Sequence, residues 1–524
     1  MNRKWLLGII LALTGFIIIV LLIFNRSTRY KRLVIKEDKW NNIISDRSLD
    51  AGLQTDEIKF NDYSLLLDKE NNTLYYSVVN SSKKYNPIVE YTGSDSKIKI
   101  AISDEITDEY IENNHNFKLM IYNHDSYYIY NLVVTNLPII NINYNLDNSD
   151  KTKNIPMSLY LFDNREDSFN RVINSKGELN ITTNADKSDY TFSLNQLSIG
   201  HNQRENNISI LGLEQHSEYV LNSLESDSEK IRNVFSTNLW NKMSDKKTDE
   251  YKYVELFING EYHGLYSLGY NIEREHVGLK SNEFMFYKSN LSNSEQNYQD
   301  NSKLEGYILF NRFIDRVNRK DDIKSNCLDI NKDNCKKIDA WSELSNYYEI
   351  LLGNDINKIK QVSDMDNAIN LYLFYLFTEP TNHINEETFS NTYLLFKNTK
   401  NGYKVKYYPF GLDDTFNNSF DEEVKYNDNS FIMNYNPVTR LIELNDDETI
   451  NLVKERYNKL RNTIWSNDSI TKLLDQYESD IYSGGAYLRD SNKWNSNIET
   501  NKLTNFKSYV INRLTSLDKY IDAL

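Results

Sequence analysis

Residues 253–268 read YVELFINGEYHGLYSL, which is the clearest structural signal in the sequence. Two runs rich in β-branched and aromatic residues flank the dipeptide Asn259-Gly260. A two-residue type I′ turn needs positive φ at both central positions, and Asn-Gly is strongly preferred there. The stretch therefore predicts a β-hairpin that turns at Asn259 and Gly260.

Short β-type runs also occupy residues 57–145, on the N-terminal side of the hairpin. They are rich in Val, Ile and Tyr and are separated by polar turn clusters, a pattern typical of strands. The runs read YSLLLD, TLYYSVV, KIKIAI, FKLMIYN, YYIYNLVV and IININY. We expect a small antiparallel β-sandwich, an accessory domain over residues 33–137, for which a spacer role is favoured over specific binding.

The second region begins at Pro138 and mixes strands with at least one helix. Apolar residues at intervals of three and four predict a helix over residues 225–243, with Asp227 and Ser228 as candidate caps. These apolar positions are Ile231, Val234, Phe235, Leu239 and Met243.

Beyond about residue 300 the pattern becomes mainly helical. One strand pair, TYLLFKN and YKVKYYPF, interrupts it and turns between Thr399 and Gly402. The last segment carries a single apolar stripe at helical spacing. The stripe consists of Leu503, Phe506, Val510, Leu514, Leu517 and Ile521. The sequence thus predicts an α+β fold in which a mixed β/α lobe is followed by a helix-rich lobe.

The N-terminal segment, residues 1–32, is predicted to anchor the chain in a membrane. Trp5 to Phe24 is a run of twenty residues without a charge, long enough for a helix to cross a hydrocarbon core of about 30 Å. A cleavable signal peptide is the alternative, but its apolar region would be shorter and would end in a small-residue site. Basic residues flank the span on both sides, and more of them follow it than precede it. This distribution favours a cytoplasmic location for the rest of the chain and leaves the opposite orientation open.

Composition and charge exclude several classes of protein. The chain has 524 residues, 40% of them apolar, which is enough to bury substantial cores. The chain contains only 17 glycines and 6 prolines, and these low counts exclude collagen-like and low-complexity architectures. Net charge is −15, and residues 1–32 hold six basic and no acidic residues, which leaves −21 for the rest. This negative charge argues against general nucleic-acid binding, which needs a positively charged surface.

The segment from Glu379 to Phe416 is the first place where chemistry could sit. A loop dense in carboxylates and amides leads into a strand, a turn and a returning strand that ends in Asp413-Asp414. Glu386 and Asn391 have the separation found in a kinase catalytic loop, and an Asp after the following hairpin could hold a divalent cation. An acidic surface turn would have the same composition.

A lysine before a strand is the second candidate. Lys187 precedes YTFSL in the earlier lobe, where a lysine could hold nucleotide phosphates, although any exposed lysine fits that description. The seven histidines are scattered without the spacing of metal ligands. Cys327 and Cys335 could pair outside a cell or remain thiols inside one.

In their order along the chain, these segments resemble the spore coat protein H (CotH) family of atypical protein kinases. The resemblance covers roughly residues 138–524. It is carried by LPII at 137–140, Lys187 to Tyr190, ILGL at 210–213, Ile231-Arg232-Asn233 with Leu239-Trp240, LFINGEYHGLYSL at 256–268, the loop ending in Asn391, PFGLDDTF at 409–416 and NRLTSLD at 512–518. The hairpin is the most specific of these elements.

Membership would imply a kinase-like two-lobed domain, ATP and Mg²⁺ or Mn²⁺ as cofactors, and phosphorylation of protein hydroxyls. By that analogy Lys187 would hold phosphates and act in catalysis, and Glu386 would stand at the position of the catalytic base. Asn391 would contact the cofactor and, with Asp413 and Asp414, hold the metal.

Departures from the family pattern put activity in question. An Arg-Gly pair expected before the lysine strand is not recognisable, and Glu386 stands in place of the catalytic-loop Asp. Gly411 replaces the first carboxylate of a Trp-Asp-Leu-Asp-like motif, and Tyr270 stands where a Glu usually follows the hairpin. Each loss removes charge that would stabilise transferring phosphate. The predicted function is therefore a membrane-anchored kinase acting on spore coat or cell-envelope proteins, with a catalytically degenerate scaffold as the alternative. An envelope adhesin that binds through its β-domain is a third.

Overall fold

The structure is a computed structural model in which residues 30–79, 85–145, 152–183, 186–196, 204–205, 208–216, 218–244, 250–270, 277–280, 282–288, 307–309, 340–380, 391–416, 436–496 and 502–524 are described. The predicted membrane span, Glu386 and both cysteines lie outside these ranges. Within them, no helix has both the length and the apolar character that a membrane crossing requires. The described chain is an α+β protein, as the sequence predicts.

Two sheets form before residue 137 and share one core. The elements are α1 (Glu37–Ser45), β1 (Ser48–Leu49), β2 (Ile58–Phe60), β3 (Tyr63–Ser64), β4 (Leu66–Asp68), β5 (Thr73–Ser77), β6 (Val89–Tyr91), β7 (Lys99–Ile102), α2 (Asp108–Glu112), β8 (Phe117–Tyr122) and β9 (Ser126–Thr135). The larger sheet has the order β4-β5-β9-β8-β7 with β1 beside β9, and the smaller has the order β3-β2-β6. Phe60, Leu74, Leu119 and Leu132 pack between them.

The expectation of a purely antiparallel module is wrong. Strands β5 and β9 pair in parallel from Thr73↔Asn131 to Ser77↔Thr135, and β1 also runs parallel to β9. A parallel pair needs a long crossover rather than a tight turn. Here the chain between β5 and β9 forms β6, β7 and β8 before it pairs with β5 again. Short-range turn signals do not reveal such a connection.

A third sheet closes on itself to form a barrel. Its strands are β10 (Ile139–Tyr144), β11 (Ile155–Phe162), β12 (Val172–Thr182), β13 (Asp189–Gln196), β14 (Arg204–Glu205), β15 (Glu218–Asn222), β16 (Lys252–Ile258) and β17 (Glu261–Gly269). Their order is β12-β11-β10-β16-β17-β15-β13-β14, and an additional β12–β13 pairing closes the ring. Inward-facing side chains such as Ile140, Leu159, Phe192 and Leu256 fill it.

The predicted hairpin is confirmed as β16 and β17 of this barrel. Ile258 pairs with Glu261, and the turn residues Asn259 and Gly260 have φ of 53° and 80°. Both angles lie in the left-handed region that a type I′ turn requires. The hairpin also contacts the first module, because the ring of Tyr75 lies with its centroid 4.9 Å from that of Phe257.

The remaining elements form a helix-rich part around a small antiparallel sheet. They are α3 (Arg232–Met243), β18 (Phe284–Lys288), β19 (Tyr307–Leu309), α4 (Ala340–Leu351), α5 (Ile356–Val362), α6 (Met365–Thr378), β20 (Thr392–Thr399), β21 (Gly402–Pro409), α7 (Pro437–Glu443), α8 (Asp447–Arg461), α9 (Asn467–Tyr477), α10 (Ala486–Lys493) and α11 (Lys502–Ala523). The sheet order is β19-β18-β20-β21. Trp240, Phe374, Leu394 and Leu514 belong to its hydrophobic core, which is separate from that of the barrel.

Two local predictions in this part are confirmed and one is corrected. The strand pair turns between Thr399 and Gly402, and the C-terminal stripe is buried along α11. The helix predicted from residue 225 begins instead at Arg232. Leu224 and Lys230 have positive φ of 56° and 64°, which an α-helix of L-residues cannot accommodate, so the chain forms a loop there.

Candidate functional site

A loop between β15 and α3 connects the two segments that the sequence singles out. We call Ser223–Lys230 the connecting loop. The backbone N–H groups of Asp186 and Lys187 donate to Glu225 Oε1 over 2.8 and 3.2 Å. On its other side, the Ser226 hydroxyl donates to Asp413 Oδ2 over 2.8 Å. The structure therefore places the Lys187 and Asp413 segments against one short loop, although they are far apart in sequence.

The ammonium group of Lys187 is enclosed by protein acceptors. Its Nζ donates to the carbonyl oxygens of Ser223 and Leu265, both over 2.6 Å, and to Asp490 Oδ1 over 2.8 Å. The Tyr266 ring lies with its centroid 4.2 Å from the same nitrogen. An ammonium group carries three N–H donors, so each has an acceptor here. The side chain is only 2% exposed, and burial lowers the pKa of Lys187 to about 8, against the opposing effect of Asp490.

Asp490 lies in α10, and sequence reasoning missed it. Besides the contact with Lys187, its Oδ1 accepts the backbone N–H of Leu265 over 2.9 Å, and its Oδ2 lies 3.8 Å from Lys230 Nζ. Gly264 makes this approach possible, because a Cβ on that residue would lie 2.3 Å from Asp490 Oδ1. In the sequence, Gly264 was the one available signal that another group approaches this strand closely.

Helix α3 holds the loop that carries Asp413. After β21 ends, Gly411 adopts φ of 61°, and residues 412–414 form a 3₁₀ turn. Asn233 Oδ1 accepts the backbone N–H of Leu412 over 3.2 Å. The Ser236 and Thr415 hydroxyl oxygens lie 2.7 Å apart. Asn233, named in the sequence only as part of a motif, therefore positions the predicted metal-binding turn.

Asn391 lies beside the same turn. Its backbone carbonyl accepts the N–H of Phe410 over 3.0 Å, and its own φ is 51°. Its side-chain Nδ2 is 3.6 Å from the position that a Cβ on Gly411 would occupy. The structure thus brings Asn391 next to the turn of Asp413 and Asp414, as the sequence predicts, while Glu386 lies outside the described residues.

The Asp413 turn carries two carboxylates, one of which is largely buried. Burial raises the pKa of Asp413 above its ordinary value, with smaller contributions from Asp414 and Asp227. A bound cation would offset that cost by favouring the charged carboxylate. Among the described residues, no group of three or more His, Cys, Asp and Glu side chains could hold a metal ion. Asp413, Asp414 and Asn391 nevertheless offer oxygen ligands that suit Mg²⁺, which commonly retains water and binds substrate phosphates.

A buried ion cluster fixes the connecting loop to the start of α3. Arg232 pairs with Asp227 and Glu229, and all three side chains are fully buried. Asp227 Oδ2 also accepts the backbone N–H of Arg232 over 2.6 Å, which satisfies a donor at the helix start. The prediction that Asp227 or Ser228 is the N-cap residue is wrong, because the helix begins later and Ile231 stands at the N-cap, while Asp227 reaches the first turn from within the loop.

Tyr270, which follows the hairpin, is buried and contributes no charge to the site. Its ring stacks on His216 with the centroids 5.2 Å apart. The carboxylate that reaches Lys187 comes from α10 instead.

A scan against protein-family models matches residues 173–517 to the family described as CotH kinase protein. The match covers more than half of the chain and includes the Lys187 strand, the connecting loop, the hairpin and the Asp413 turn. A search of the curated proteins finds no similar protein.

Proposed function

This chain belongs to the CotH family, and we propose that it is an atypical protein kinase that transfers the γ-phosphoryl group of ATP to protein hydroxyls. One observation carries the proposal. The connecting loop contacts Lys187 through Ser223 and contacts Asp413 through Ser226, so a cationic group and a carboxylate flank one short segment. Phosphoryl transfer depends mainly on placing such groups around the phosphates.

Each residue of the site has a proposed role. Asn391, Asp413 and Asp414 hold Mg²⁺ or Mn²⁺, and the ammonium group of Lys187 binds the nucleotide phosphates. Glu386 occupies the position of the base that orients the attacking hydroxyl. When bound, the cation would neutralise charge on the transferring phosphate. The Ser226 hydroxyl and the Asn233 amide hold the Asp413 turn in place.

A catalytically degenerate scaffold is the second candidate function, and two observations favour it. Gly411 adopts a left-handed conformation at the position where the family pattern has a carboxylate. The three donors of Lys187 all have protein acceptors, so a phosphate would have to replace one of them. A protein of this kind would bind nucleotide or partner proteins without turnover.

Incubation of the purified full chain with γ-labelled ATP and Mg²⁺ or Mn²⁺ separates the two functions. A kinase transfers label to itself or to a coat or envelope protein extract, and Asp413→Asn abolishes the transfer. Asp475→Asn is the control, because Asp475 pairs with Lys507 on the exposed side of α9 and α11. Absence of label transfer by the folded protein would reject the kinase and leave the scaffold.

The cellular setting is also a proposal. Residues 5–24 are proposed to anchor the protein in a membrane, with coat or envelope proteins as substrates or partners. Extraction of cell membranes with alkaline carbonate tests the anchor, since an integral protein stays in the pellet whereas a peripheral one is released.

A further inference from the structure

We propose that Asp490 is the positioning residue of Lys187, so that helix α10 supplies the carboxylate that keeps this lysine charged and correctly placed for nucleotide phosphate. The inference rests on the proposed function and deepens it. It assigns a role to a residue that no sequence motif discussed above contains, in an element 303 positions away from the lysine.

The geometry of Asp490 is that of a fixed partner rather than of an incidental contact. Oδ1 accepts both from Lys187 Nζ, over 2.8 Å, and from the Leu265 backbone N–H, over 2.9 Å. The side chains of Lys187 and Asp490 are 2% and 1% exposed. Two hydrogen bonds to one oxygen leave the carboxylate little freedom, so it defines where the ammonium lies.

The hairpin is shaped to admit this carboxylate. Gly264 has φ of 110°, and a Cβ there would lie 2.3 Å from Asp490 Oδ1 and 3.0 Å from Trp494 Nε1. Trp494 Nε1 in turn donates to the carbonyl of His263 over 3.0 Å. Strand β17 therefore presents a bare backbone to α10 at the point where Asp490 reaches Lys187.

The charge of Lys187 depends on its surroundings. Burial disfavours the ammonium form, and Lys230 adds to that effect, whereas Asp490 and Asp189 favour the ammonium. Only a charged lysine attracts phosphate. Loss of the Asp490 charge would therefore lower the pKa of this buried amine further and misplace it, even with the Ser223 and Leu265 carbonyls in place. The titratable or charged groups around Lys187 are Asp490, Lys230, Asp189, Glu225, His263 and Tyr266.

The test measures nucleotide affinity in the full-length protein by calorimetry with Mg²⁺ and a non-hydrolysable ATP analogue. Asp490→Asn should weaken affinity about tenfold at neutral pH, the order of magnitude expected when one charge-assisted contact to phosphate is lost. Asp490→Glu keeps the charge and should restore part of the affinity.

Glu255→Gln is the matched control. Glu255 is fully buried and pairs with Arg489, the residue before Asp490 in α10, but it does not contact Lys187. If Asp490 merely fastens α10, both variants should lower stability and change nucleotide affinity equally. That result, or an unchanged affinity in Asp490→Asn, overturns the proposal.

The wild-type protein provides a second measurement. Its nucleotide affinity should fall as pH rises through about 8, the pKa of Lys187, rather than near the ordinary lysine value of 10.5. In Asp490→Asn this fall should begin at a lower pH than in the wild type, and the same pH profile in both proteins contradicts the role assigned to the pair. A wild-type protein that binds no nucleotide at any pH rejects the proposed function itself, which is a distinguishable outcome.

Discussion

Lys187 Nζ lies 2.8 Å from Asp490 Oδ1, and this contact joins the start of a barrel strand to a helix near the C-terminus. Both side chains are almost completely buried. A buried ion pair contributes little net stability compared with apolar residues, but breaking one side of it is costly. The pair therefore makes the barrel and α10 depend on each other.

Asp490→Ala should lower the free energy of unfolding by about 3–5 kcal/mol, because it leaves a buried ammonium without its counter-charge. Chemical denaturation measures the change. The double variant Lys187→Met with Asp490→Ala should recover part of that loss, since the Lys187 charge is gone and only the more distant Lys230 still lacks its carboxylate. Lys493→Ala removes a more exposed pair with Glu261 and should cost less than about 1 kcal/mol. Equal effects of the two alanine variants would contradict the buried-pair account.

Gly264→Ala should be more destabilising than Gly260→Ala, although both residues have positive φ. A methyl group at 264 would meet the Asp490 carboxylate at 2.3 Å, whereas one at 260 would have no heavy atom within 4 Å. Backbone strain of about 1–3 kcal/mol applies to both sites, and the steric conflict adds to it only at 264. Thermal unfolding of the two variants compares them, and similar melting temperatures would show that Asp490 can move aside.

Stability should decrease as pH falls from about 6.5 to about 4, and His263 should account for part of that decrease. Burial, together with nearby Lys187 and Lys493, lowers the pKa of His263 from 6.5 to about 4. Between these values the unfolded chain binds a proton that the folded chain excludes, so acid favours unfolding.

Denaturation midpoints measured across that pH range test the effect of His263. His263→Gln should flatten the profile while keeping a polar group near the Tyr190 hydroxyl, which lies 2.9 Å from His263 Nε2. His124→Gln is the control, because that side chain is 93% exposed. A profile that His263→Gln leaves as steep as the wild type would assign the pH dependence to other groups.

Asp413→Asn should abolish stabilisation by metal and nucleotide. A ligand at one hundred times its dissociation constant raises the free energy of unfolding by about 2.7 kcal/mol. The wild type should show a rise of that size with Mn²⁺ and ATP, and the variant should show none, since it lacks the carboxylate charge. Ser226→Ala removes only the hydroxyl that donates to Asp413 and should keep most of the effect. Undiminished stabilisation in Asp413→Asn would move the metal site elsewhere.

Sequence reasoning located one side of the candidate site better than the other. Asn391 and Asp413 are separated by a single strand pair, so a correct prediction of the hairpin between them brings their segments together. Lys187 also stands out in the sequence, yet its surroundings could not be foreseen. Its acceptors come from Ser223, Leu265 and Asp490, and no local pattern connects those positions.

By itself, the sequence determined the elements whose signals act within a few residues. Asn259-Gly260 specifies its turn through backbone φ, and the apolar stripe of α11 specifies a buried face through helical periodicity. Only the tertiary structure decided the parallel pairing of β5 with β9, the closure of the barrel and the partner of Lys187. These features depend on which distant segments can bury apolar surface together, and that choice is made by the packing of the whole chain.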